Sequence, residues 1–371
     1  MDSAFVIITH PQLMNDADLY KQYRSSVNGG MHNVLIANIN ELYDQFAFGI
    51  VKSPLSIKGF SELLIDTYPT APQNLFLLGK SIHLVDSRKS TPEYNACLVP
   101  SFGNPSSDNL LTEGLNGTQL IPMIPTGRLA ARTPTDVSVY LDKIQDYESS
   151  PADEWMKYGL HFGGGGSFSE QQQLKNYLDG YKNTFQDSLY GGVIIKEFWK
   201  TSTAPIQINI ADTLEDLINN GVSLLTFFGH ASANSFDQSI DQITSFNPIQ
   251  GRYPFMLSNA CYSGDLHAMA ISSSEEYVLI PNKGVIGFLG SIKLGVPYAL
   301  NTFSGEFYRQ FSTLNYGNGI ASSIKNAIST IQANAIADPL VRSTCYEMTY
   351  HGDPAVKLNA QKFPDYKIAK Y

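Results

Sequence analysis

Short apolar runs closed by a small or polar residue alternate along this chain with longer stretches in which apolar side chains recur every three or four positions. The runs at 4–9, 34–39 and 74–78 read as strands, because each is dense in branched or aromatic side chains. The stretches at 16–27, 57–68 and 133–148 read as helices. In the last of these, Val137, Tyr140, Leu141 and Ile144 mark one face, and Thr133 is placed to cap it. Two shorter strand candidates lie at 97–99 and 119–124. The polar stretch Tyr147-Glu148-Ser149-Ser150-Pro151 then breaks the pattern and marks a boundary. Beyond it the alternation restarts, with strands at 158–162, 192–198 and 284–289 and helices at 169–185, 213–219, 303–313 and 320–336. Alternating strand and helix units imply an α/β fold. The expectation is two side-by-side subdomains, 1–150 and 151–371, each a mostly parallel sheet flanked by helices.

Two further runs in the second half carry reactive side chains at their ends. Val222-Ser223-Leu224-Leu225-Thr226-Phe227-Phe228 leads into Gly229-His230, and Pro254-Phe255-Met256-Leu257-Ser258-Asn259 leads into Ala260-Cys261-Tyr262-Ser263-Gly264. Each reads as a buried strand of a parallel sheet. In open α/β sheets the C-terminal edge of the strands is where ligands bind. A single buried cysteine or histidine is ordinarily a packed core residue. The matched pattern points elsewhere: a thiol and an imidazole just past two strand ends are the minimum for a cysteine nucleophile with a general base.

These two blocks resemble the signature of the caspase–gingipain clan of cysteine peptidases, an apolar strand ending in His-Gly and a second ending in Ala-Cys. The surroundings resemble the gingipain-type family within that clan. The likeness runs through Phe5-Val6-Ile7-Ile8-Thr9-His10-Pro11, Asn74-Leu75-Phe76-Leu77-Leu78-Gly79, Gly127-Arg128-Leu129-Ala130-Ala131-Arg132-Thr133, the segment at 281–290 and Gly352-Asp353-Pro354-Ala355, which together span nearly the whole chain. The resemblance implies a caspase/gingipain-like fold and a cysteine endopeptidase acting on protein or peptide substrates. It places the oxyanion donors at the backbone N–H groups of Cys261 and of Ala231, where the family pattern prefers glycine. It also implies a carboxylate to orient the histidine, four positions before the Gly-Arg pair, where this chain has Met123. Asp108 and Glu113, close by in sequence, are the candidates to replace it, and a bare Cys–His dyad is the other option. Relatives of this type can carry structural calcium, and they are exported, so the expectation is a secreted or bacterial cell-surface protein with its targeting segments absent from this chain. A catalytically weak or inactive surface scaffold is the alternative that the Ala231 and Met123 departures raise.

Read as chemistry, His230 would take the Cys261 proton and later return a proton to the leaving amine. A helix starting directly after Cys261 would favour the thiolate through its positive end. Asp265 and His267, just past the nucleophile, are candidates to line the substrate cleft or to sit in a solvated loop. Cys345 and His351 near the C-terminal strand lack the run-then-small-residue pattern. The loop Gly163-Gly164-Gly165-Gly166-Ser167 also joins a strand to a helix, but Phe168 breaks the G-x-G-x-x-G spacing and no lysine follows. A flexible turn is the reading preferred there over a nucleotide site.

Composition narrows the classes further. With 43% hydrophobic and 16% charged residues in 371, the chain can bury an ample core. The net charge of −9 and the lack of any lysine or arginine run argue against nucleic acid as a partner. No apolar stretch reaches the ~18 residues of a membrane-spanning helix. Three cysteines (Cys97, Cys261 and Cys345) cannot build a disulfide framework. His10, His32, His83 and His161 show no metal-ligand spacing, so neither a catalytic metal nor any other required cofactor is expected.

Overall fold

The computed structural model describes residues 4–117, 120–205, 211–232, 235–238, 240, 246–249, 251–334 and 338–358. Twelve strands are described: β1 (Ala4–Thr9), β2 (Asn33–Asn38), β3 (Asn74–Leu78), β4 (Thr126–Leu129), β5 (Tyr158–Gly163), β6 (Val193–Trp199), β7 (Leu224–Phe228), β8 (Ala231–Ser232), β9 (Ser235–Phe236), β10 (Phe255–Asn259), β11 (Gly287–Ser291) and β12 (Met348–His351). Ten of them form one sheet in the order β2-β1-β3-β4-β12-β11-β10-β7-β5-β6, while β8 and β9 form a small separate hairpin. Every pairing in the large sheet is parallel except β11 with β12. β1, β3, β7 and β10 are buried at every position, as parallel strands covered on both faces by helices must be.

The α/β class expected from the alternation is what the chain adopts, and the strands of its two halves are hydrogen-bonded into a single sheet. β12 makes the join, pairing antiparallel with β11 through His351 and Phe288 and meeting β4 at Arg128. Buried side chains reinforce the seam. From the helix Pro134–Ser149, the Tyr140 hydroxyl donates to the Ile286 carbonyl at 2.8 Å, and Lys143 Nζ donates to the carbonyls of Val278 and Val285. Asp353, fully buried after β12, accepts from Arg24 Nε at 2.8 Å, which ties the first helix, Met14–Ser25, to the same seam.

Local departures from the sequence reading have local causes. Residues 97–99 are not a strand: the helix Thr91–Ala96 ends there, and the Leu98 and Val99 amides both turn to the Lys80 carbonyl. Of the 119–124 candidate, Gln119 lies outside the described residues; 120–125 is loop, and β4 follows it. Asn38 caps a helix (Ile39–Phe46) that begins directly at the end of β2. The helix expected at 303–313 starts at Pro297, where proline suits a first turn, and ends at Arg309. The helix expected at 320–336 is described as Ile320–Asn334, and residues 335–336 lie outside the described residues.

Candidate active site

β7 and β10 are neighbours, and their register sets Phe228 opposite Asn259. His230 and Cys261 each stand two residues past that pair, so imidazole and thiol leave adjacent strands at the same edge of the sheet. Pairing continues beyond the strands, for the Gly229 N–H donates to the Asn259 carbonyl at 3.3 Å. Glycine is required at 229 because a Cβ would lie 2.6 Å from the Phe227 ring and 2.7 Å from Asp237 Oδ1.

The Cys261 thiol is half-buried, and the Gly295 amide points at its Sγ from 3.3 Å. No helix follows Cys261 directly. The chain turns through Tyr262 in the left-handed region (φ 57°), with its N–H donated to the Lys293 carbonyl, and the next helix starts only at Ser273. The positive pole expected from a helix end is thus replaced by one loop amide aimed at the sulfur.

His230 is exposed at 57% of its side chain, and its Nε2 lies 3.1 Å from the carboxylate of Glu170. Glu170 sits in the first turn of the helix Phe168–Gln186, whose N-cap Ser167 accepts the Glu170 amide at 3.3 Å. In a capping box the acid at this position returns to the cap's own amide. Here its carboxylate also takes the Gly166 N–H at 2.7 Å and the His230 ring. Partial burial works against its charged form, yet the Gly166 amide and the imidazole outweigh that and hold its carboxyl below the usual range. Nε2 is thus the ring nitrogen that Glu170 engages.

The glycine run that positions Glu170 is close-packed, contrary to the flexible turn read from the sequence. A Cβ at Gly163 would lie 2.5 Å from the Trp199 ring, one at Gly164 would lie 2.2 Å from Asp237 Oδ1, and Gly165 has φ +120°. Only Gly166 has ordinary room.

A profile of peptidase family C25 matches residues 2–359. The chain belongs to peptidase family C25. Its fold is similar to that of the Arg-specific cysteine proteinase gingipain R, with a TM-score of 0.73 and 15% identity over 96% of this chain and 79% of that one. The complex of Porphyromonas gingivalis RgpB pro- and mature domains gives a TM-score of 0.73 and 15% identity over 96% and 80%. A third structure, described as a protease, gives 0.72 and 14% over 96% and 78%. A comparison with curated protein sequences finds no match.

The remaining candidates in this C25 member fall away from His230. Both Asp108 oxygens are held by Arg128, at 2.7 and 2.8 Å, in the buried space beside β4; despite burial the guanidinium keeps that carboxyl low. Glu113 accepts from the Tyr346 hydroxyl at 3.2 Å, and burial raises its pKa. Met123 packs partly buried against the core. Asp108 and Glu113 are therefore corrected as orienting acids, and Glu170 stands at the ring instead. Asp265 and His267 do not line an open cleft either. Asp265 is bonded to His83 at 2.9 Å, and His267 is fully buried, with Nδ1 on Ser81 Oγ. The Lys80 ammonium donates to the Leu266 carbonyl at 2.7 Å, so the segment after Cys261 is anchored to the loop after β3. Cys345 is buried, and burial pushes its thiol up to about 12. His351 is a structural link, accepting from the Ala130 N–H and facing the Ser274 carbonyl.

Open space at this edge lies beyond His230, where a cavity of about 350 Å³ is bordered by Phe168, Gln171, Lys175, Trp199 and Lys200. Among the described residues no three His, Cys, Asp or Glu side chains converge as metal ligands.

Proposed function

We propose that this chain is a cysteine endopeptidase in which Cys261 is the nucleophile and His230 the general base and acid. The observation that carries the reading is the common register of the two side chains past Phe228 and Asn259, with Glu170 on one and the Gly295 amide on the other. His230 takes the thiol proton through Nδ1, and the sulfur attacks the scissile carbonyl carbon. The tetrahedral oxyanion is met by the backbone N–H groups of Cys261 and Ala231, a contribution that costs ~3 kcal/mol when one such donor is lost. The C–N bond then breaks, with the amine leaving on the imidazolium proton. Water, deprotonated by the same ring, hydrolyses the thioester and restores the thiol.

Glu170 would stabilise the imidazolium and fix its tautomer, the role for which Met123 offered no acid. A weakened site is therefore not the favoured reading, since a carboxylate from a different element stands at the ring. An extended substrate crossing the edge would lie beside the Trp199 cavity. Action outside the cell or at its surface is supported by the gingipain-type likeness. No helix of the described residues is long and apolar enough to cross a membrane.

The test is hydrolysis of a diverse peptide library by the wild type, Cys261→Ala and His230→Ala. Cleavage by the wild type alone is expected. Equal turnover by Cys261→Ala would remove the proposal.

A further inference from the structure

Asp237 has no part in the chemistry just described, yet its contacts form a circuit that begins and ends at His230. Its own N–H donates to the His230 carbonyl at 2.9 Å. Its Oδ2 accepts the Gly165 N–H at 2.8 Å and the Lys200 ammonium at 3.2 Å. The next amide along, that of Gly166, holds Glu170 at 2.7 Å, and Glu170 holds the His230 ring at 3.1 Å. Backbone and side chain of the same histidine are thus fixed through one carboxylate.

The second oxygen shows how tightly this carboxylate is seated. Asp237 is 6% exposed, and its Oδ1 has no hydrogen-bond partner among the described residues. It fills the space between two glycines: a Cβ on Gly164 would lie 2.2 Å from it, and one on Gly229 2.7 Å. Leaving a buried carboxylate oxygen unpaired is costly, and the two glycines that admit it flank the elements carrying Glu170 and His230. Neighbouring bonds hold the same assembly, with Gln238 Nε2 donating to the Gly163 carbonyl and the Gly164 N–H to the Phe228 carbonyl.

We propose that Asp237 is a positioning residue for the catalytic histidine: it clamps the glycine loop so that Glu170 meets His230 Nε2. The inference rests on the reading of His230 and Glu170 given above, and its test separates the two. Asp237→Asn keeps the size but weakens the grip on Gly165 and leaves the buried Lys200 ammonium without its counter-charge. The double variant Asp237→Asn with Lys200→Met removes that stranded cation, so a folded protein is available either way. In both, kcat should fall roughly ten- to a hundredfold, the scale that an ångström of misplacement costs, and in the single variant Asp237→Asn KM should be little changed.

A second readout needs no turnover. The amide signals of Gly165 and Gly166 and the His230 imidazole signals should move in Asp237→Asn, the ring shift following the direction given by Glu170→Gln. Ring signals that stay at their wild-type positions in both Asp237 variants would overturn the inference, whether or not the protein cleaves peptide. A wild type that cleaves nothing while these shifts occur would instead sink the peptidase reading and leave the positioning role supported.

Discussion

Glu170 lies 60 residues upstream of His230 and meets its Nε2 at 3.1 Å. In the proposed mechanism this contact would fix the tautomer of a histidine that is more than half exposed, with one ring nitrogen engaged by Glu170 and the other serving the thiol. Glu170→Gln should therefore lower kcat/KM roughly ten- to a hundredfold at neutral pH, up to the lower end of the roughly 10²–10⁴-fold that a general acid–base group itself contributes. Met123→Asp should bring no gain, because Met123 packs against the core rather than at the ring. The check is peptide hydrolysis by the two variants side by side. Full activity in Glu170→Gln would make the pair a bystander contact.

The three thiols should differ sharply in reactivity. Cys97 and Cys345 are buried, and burial raises both, Cys345 to about 12. Cys261 is half-buried, with the Gly295 amide on its sulfur. Since the thiolate is the reactive form and exposure sets access, iodoacetamide at pH 7 should label Cys261 first in the native protein. His230→Ala should slow that step. Mass spectrometry of digests after brief labelling gives the result directly, and equal labelling of all three positions contradicts it.

Acid should destabilise this fold well before its carboxylates titrate. His161, His267 and His351 are fully buried, and burial lowers each to about 3. Unfolded histidine takes a proton near ~6.5, so between about 6.5 and 3 the unfolded chain binds more protons than the folded one. The stability these neutral rings bring is complete above that window and is lost as pH falls through it, at up to about 1.4 kcal/mol per pH unit for each ring. Urea midpoints should be level just above pH 7 and drop steadily below 6.5. His161→Phe should make the drop shallower by about one proton, and a level midpoint down to pH 4 would contradict the assignment.

The residues that sequence made legible are those whose chemistry sits on a strand end. The β1 and β3 boundaries match the apolar runs, and the His230 and Cys261 blocks stand out because apolar strand, small residue and reactive side chain are contiguous. Glu170 was not legible for the opposite reason. It belongs to a polar helix start, Ser169-Glu170-Gln171-Gln172, and reaches His230 only through the packing of the glycine run. One signal was available: Ser167 with Glu170 three residues later has the capping-box spacing, immediately after a strand end. The direction of β12 was also hidden, since a four-residue strand buried throughout looks the same parallel or antiparallel. The family's Gly-Arg position pointed to an acid near β4, but in this chain the nearest one, Asp108, is consumed by Arg128.

The glycine run offers a test that separates close packing from simple flexibility. Gly164 and Gly166 both have backbone conformations open to alanine, but their surroundings differ. A Cβ at 164 meets the carboxylate of Asp237 at 2.2 Å, a contact that forces either the loop or Asp237 to move. At 166 the nearest atoms are Glu170 Oε2 at 3.6 Å and His230 Nε2 at 3.7 Å, ordinary contacts. Gly164→Ala should thus be destabilised by about 1–3 kcal/mol, the usual penalty for overpacking, and should lose activity because the shift reaches Glu170 through Gly165 and Gly166. Gly166→Ala should hold its melting temperature and keep most of its turnover, since its amide remains to bind Glu170. Melting curves and peptide hydrolysis of the two proteins decide the matter. If both variants behave alike, the run is a hinge whose sequence matters little, and the seat built around Asp237 has no bearing on His230.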